Sequence, residues 1–135
     1  MLYKLVLYLL TNFIRMEKNI PIATTENKFF RQYLELINPI LRLRGKELDV
    51  LAELLYYNYK FKDIAKEHRW KLIFDYDTKT KIRTKLELSD ASMNNNLSAL
   101  RKKNVIEANK VKQAYLVYPD NKFSLKFQFN VKSDS

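Results

Sequence analysis

The sequence predicts a mainly α-helical chain with a small antiparallel β-hairpin near its C-terminus. Three observations carry this. Residues 26–37, 46–59 and 90–103 repeat apolar side chains every three or four positions, which is the helical period. Residues 113–118 and 122–131 instead alternate, as a half-buried strand does. Finally, 47% of the 135 residues are hydrophobic, enough for the packed core of one domain.

Residues 1–15 are strongly apolar, but the run at 5–10 is too short to span a bilayer. No small-residue cleavage site follows, which argues against a secretory signal. Three readings stay open: a helix packing on the domain or a partner, a membrane-surface anchor, or a stretch upstream of a start at Met16. Residues 17–25, with Pro21 and Thr24-Thr25, read as a linker. The domains are therefore an extension and linker over 1–25, a folded domain over 26–132 and a tail over 133–135.

Thr25 can cap a helix that starts near Glu26, carries Phe29, Phe30, Tyr33, Leu34 and Ile37, and stops before Asn38-Pro39. Ile40, Leu41 and Leu43 form an apolar connector, and Gly45 allows a turn. Leu48, Leu51, Ala52, Leu54, Leu55 and Tyr59 mark the next helix as the central one. Over 61–77 two short helical pieces are expected, at 62–68 and 70–75, with His68 and Trp70 as packing residues. A helix over 78–86 points Ile82 and Leu86 inward. After a tight turn, Ser89 or Asp90 can cap a helix over 90–103 whose stripe is Met93, Leu97 and Leu100. Its other positions include Ser92, Asn94, Asn95, Ser98, Arg101 and Lys102. Strands over 113–118 and 122–131 follow, joined by the turn residues Pro119-Asp120-Asn121. The second strand puts Phe123, Leu125, Phe127, Phe129 and Val131 on one face.

Composition narrows the function. There is no cysteine, one histidine and one glycine. Thiolate chemistry, a histidine metal cluster and glycine-rich phosphate loops all lack their residues. No carboxylate pair or nucleophile–base set stands out, so an enzyme is not expected, nor a cofactor or metal. The formal charge is +10 and unevenly placed. Residues 1–78 hold 13 basic and 10 acidic side chains, a net of +3, while residues 79–132 hold 12 and 4, a net of +8. The excess thus lies beside the 90–103 helix, a distribution suited to nucleic acid.

The pattern Ile82-x-x-x-Leu86-x-Leu88-Ser89-x-x-Ser92-Met93-x-x-x-Leu97-x-x-Leu100-x-x-x-Asn104-Val105-Ile106, with a hairpin behind it, resembles the winged helix-turn-helix superfamily. Its rhythm is most similar to MarR-type bacterial and phage regulators. The resemblance covers 46–131, with 61–77 as an unusual insert. Asn104 stands where that family carries glycine, and asparagine tolerates positive φ. The resemblance implies a winged-helix domain preceded by a helical extension, although such domains also dock onto proteins.

The expected function is sequence-specific binding of double-stranded DNA, as in a transcription regulator. Helix 90–103 would enter the major groove, with Asn94 and Asn95 on adenine edges and Ser92 on a base or phosphate. Ser89, Lys79, Lys81, Arg83, Arg101 and Lys102 would hold phosphates, as would Lys112, Lys122 and Lys126 from a wing over 112–131. Asp90 is an objection, since phosphates repel an acid, unless it accepts from a cytosine amino group or only caps the helix. Asn96, beside the core stripe, is read as structural. Dimerisation through residues 1–37 would suit paired half-sites. The alternatives are a phage structural or adaptor protein docking on a larger assembly, or a replication initiator. The expected location is the bacterial cytoplasm, or the virion for the adaptor.

Overall fold

A computed structural model describes residues 2, 4, 17–119 and 123–134. Among them the chain forms five helices: α1 (Glu26–Leu41), α2 (Gly45–Lys60), α3 (Lys66–Ile73), α4 (Tyr76–Lys85) and α5 (Asp90–Lys102). A hairpin of β1 (Ile106–Glu107) and β2 (Lys110–Val111) follows, then a 3-10 turn at Gln113–Tyr115. The architecture is mainly helical with one two-stranded antiparallel sheet, the expected class, although the sheet does not lie where the alternation put it. No helix among the described residues is long and apolar enough to cross a membrane.

Helix α2 is the centre. Leu48, Val50, Leu51, Leu54 and Leu55 are buried, and α1, α3 and α5 all pack against it. Burial on several sides needs more than one apolar stripe, and α2 supplies it: Glu47, Ala52, Glu53 and Asn58 are buried as well. The polar members are partnered. Glu53 pairs with Lys85 of α4 at 2.6 Å, and Asn58 donates to the Tyr118 hydroxyl at 3.2 Å. Each fully buried leucine contributes about 1.5–3 kcal/mol by leaving water.

Three boundaries differ from the expected ones. Helix α1 starts at Glu26 as Thr25 suggests, although the Thr25 side chain makes no cap bond. It then runs through Pro39 to Leu41. Proline costs a helix one amide bond, and here the end is compensated by Asn38. The Asn38 side chain accepts from the Leu43 amide at 2.8 Å and donates to the Leu43 carbonyl at 3.1 Å. The two pieces expected within 61–77 are a single helix, α3, with α4 beginning by Tyr76. Residues 61–65 stay outside it because the Arg69 guanidinium holds their carbonyls. It donates to Lys62 at 2.9 Å, to Ile64 at 3.0 Å and to the Asn58 side-chain oxygen at 3.1 Å. Trp70 is core, but His68 is exposed.

The third difference is the hairpin. Strands over 113–118 and 122–131 are not formed among the described residues. The antiparallel pairing is Ile106 with Val111 and Glu107 with Lys110. The two turn residues, Ala108 and Asn109, have φ of 50° and 54°. A tight turn with two left-handed residues matches strand twist. Ile106 and Val111 face the core while Glu107 and Lys110 face out. Residues 116–119 continue without regular structure, with Leu116 and Val117 packed on the core. Asp120, Asn121 and Lys122 lie outside the described residues.

Candidate nucleic-acid interface

Helix α5 is placed by its two ends and one stripe. Met93, Leu97 and Leu100 are buried. At the start, the Ser89 hydroxyl accepts from the Ser92 amide at 3.1 Å, the expected cap. The turn before it closes in a Schellman arrangement, in which the residue after the helix end is left-handed and the last amides reach back to free carbonyls. Glu87 takes that position with φ 56°, while the Leu88 amide reaches the Arg83 carbonyl at 2.9 Å and the Glu87 amide that of Thr84 at 3.2 Å. The same closure ends α5. Asn104 has φ 61°, and the Val105 amide bonds to the Leu100 carbonyl at 2.9 Å. Asparagine thus fills the left-handed position expected of it.

A half-buried ion pair ties the far end of α5 to α2. Lys103 Nζ lies 2.7 and 3.0 Å from the two Glu47 carboxylate oxygens, and that carboxylate also accepts from the Arg44 amide at 3.0 Å. Burial alone would raise the Glu47 pKa. The Lys103 hydrogen bond, the Arg44 amide and the nearby positive charges outweigh it and hold the pKa below its ordinary value.

Stepping 100° per residue around α5 places Ala91, Asn95, Ser98 and Lys102 on the side opposite the core stripe and Asn94 about 90° from it, on one flank; all five are exposed. Ser92 sits on the flank, half-exposed, with Asn96 Nδ2 donating to its carbonyl at 2.8 Å and to its hydroxyl at 3.5 Å. Ser92 and Asn94 thus lie on opposite flanks, with Asn95 between them. Asn96 is structural, as expected. Ser98 and Lys102 extend the outer row from Asn94 and Asn95, a continuation legible in the i+3, i+4 spacing.

The basic residues divide. Arg101 and Lys102 are exposed at the end of α5, and Arg101 donates to Asn109 at 3.0 Å, tying the hairpin turn to the helix. Arg83 is committed to Asp90 at 3.0 Å, which also neutralises the acid that argued against an anionic partner. Lys79 shares the Arg83 side of α4, whereas Lys81 lies about 160° round the helix from both. Lys81 is thus on the Lys85 side, which faces Glu53 and Tyr56 of α2. Lys112 is half-exposed, its amide bonded to the Val105 carbonyl at 3.0 Å. Lys110, which sequence reasoning missed, is exposed beside the hairpin turn. Lys126 lies in no strand and pairs with Glu17 at 3.1 Å. Lys122 lies outside the described residues.

No protein-family model, curated protein or solved structure matches this chain.

Proposed function

We propose that the protein binds double-stranded DNA in a sequence-dependent way, as a transcription regulator does, with α5 as the reading helix and the short hairpin as its wing. The observation that carries this is the solvent-facing row Asn94, Asn95, Ser98 and Lys102 on a helix whose opposite side is core. Thirteen residues make α5 about 20 Å long, and a helix of that size fits a major groove about 12 Å wide. Asn94 and Asn95 each offer a donor and an acceptor to an adenine edge. Lys79, Arg101, Lys102, Lys110 and Lys112 supply phosphate contacts, the term that provides affinity but no sequence choice.

Fluorescence anisotropy with labelled duplex at several salt concentrations tests the reading. Binding should weaken steeply as salt rises, with a log–log slope of about −4.5 if about five phosphates are neutralised. No binding to any duplex at low salt refutes it. Selection from a random duplex pool then gives the preferred sequence, and enrichment of none removes the sequence-specific part.

A further inference from the structure

The two flanks of α5 have different neighbours. With the Met93, Leu97 and Leu100 stripe as the inner side, 100° steps put Asn94 and Arg101 on one flank and Ser92, Asn96 and Lys103 on the other. The hairpin occupies the first flank, where Arg101 holds Asn109 of its turn. The start of α2 occupies the second. There Lys103 reaches the Glu47 carboxylate and, at 3.4 Å, the Arg42 carbonyl. Farther along the same flank, Arg44, Gly45, Lys46 and Asp49 line a shallow concavity of about 520 Å³ together with Asn96. Arg44 and Lys46 are exposed, and neither takes part in an ion pair among the described residues. The acids beside them are already matched, Glu47 by Lys103 at 2.7 Å and Asp49 by Arg31 at 2.8 Å. Two cations are thus left uncompensated on this flank.

We propose that Arg44 and Lys46 hold the phosphate row on the far side of the groove that α5 enters, opposite the row held by the hairpin. The inference rests on the DNA reading above and adds two residues to it. A helix with its side chains is about 10–12 Å across. Groups seated against its opposite flanks therefore stand at the spacing of the two backbones that line a major groove about 12 Å wide. Lys110 and Lys112 serve one shoulder, Arg44 and Lys46 the other, and Asn95, Ser98 and Lys102 lie between them. The Arg44 guanidinium can take two phosphate oxygens at once, while the Lys46 ammonium acts as a point charge. Such contacts set the register of α5 in the groove and carry no base choice.

Anisotropy of the full chain with a labelled duplex, read as a salt slope, tests this. Two phosphates added to the five above steepen the wild-type log–log slope from about −4.5 to about −6. Arg44→Ala with Lys46→Ala should return it to about −4.5 and weaken every duplex alike. Tm should not change, because both side chains are exposed and outside any ion pair. Single variants separate a local contact from a general loss of charge. Lys46→Ala should make the slope shallower by about one. Lys60→Ala removes the same charge at the opposite end of α2, about 21 Å along its axis. That is beyond the reach of an exposed charge in salt, so its slope should stay at the wild-type value. A wild type that binds duplex, with a slope that the double variant leaves unmoved, overturns the assignment and leaves the DNA reading standing. So does a Lys60→Ala effect as large as that of Lys46→Ala. A wild type that binds no duplex at low salt overturns both.

Discussion

Removing one partner of the Glu47–Lys103 pair gives a sharp prediction. In Lys103→Met the aliphatic stem is kept and the ammonium lost, which leaves the Glu47 carboxylate buried with the Arg44 amide still donating to it. Breaking a fully buried pair costs about 3–5 kcal/mol. The Lys103 side chain is 35% exposed while that of Glu47 is 3% exposed, so solvent screening reduces the loss to about 2 kcal/mol. In a chain of this size that lowers Tm by roughly 6–8 °C. The pH dependence gives a second readout. In the native chain the Glu47 pKa is depressed, so its contribution is present above the ordinary value near 4.5 and is lost as pH falls through the folded value. The variant lacks both Lys103 effects that depress it, and burial acts with less opposition. Protonation then relieves the variant sooner, and its deficit should shrink between pH 7 and pH 4. Urea unfolding of both proteins at the two pH values measures this. A deficit below about 0.5 kcal/mol at pH 7, or one that does not narrow on acidification, refutes the assignment.

Other substitutions probe the turns, the loop and the outer face. Glu87→Gly removes a side chain from a left-handed position and should raise stability by about 1 kcal/mol in thermal unfolding. Arg69→Lys cannot reach the Lys62, Ile64 and Asn58 oxygens together, so it should cost about 2 kcal/mol and increase proteolytic cutting within 61–65. Asn94→Ala with Asn95→Ala, both exposed, should leave Tm unchanged. Anisotropy should show their discrimination between selected and scrambled duplex falling by about 2 kcal/mol or more. Lys102→Ala should instead weaken all duplexes alike and make the salt slope shallower by about one.

Periodicity located the buried stripes of α2 and α5 because those helices put their leucines where a core demands them. It misjudged the end of α1, since the cost of Pro39 is offset by Asn38, a side-chain effect that no apolar pattern carries. The hairpin was placed too late. Strands of two residues are too short to show an alternation, and the turn uses Ala108 where glycine or asparagine would have marked it. The strand expected over 122–131 is not formed among the described residues, because alternation reports that one side could be apolar and supplies no neighbouring strand to pair with. In the candidate interface, the exposed Asn94 and Asn95 agree with the sequence. The diversion of Arg83 to Asp90 and the turning of Lys81 to the far flank depend on neighbours that the linear order does not reveal.

Helix α5 is moored at both ends, by a hydroxyl cap and closed turn at one and by the half-buried ammonium–carboxylate contact at the other. To roll or slide, such a helix would have to break these contacts. Any ligand it engages must bring the matching contour, so discrimination would come from rigidity, and tolerance of near matches should be low.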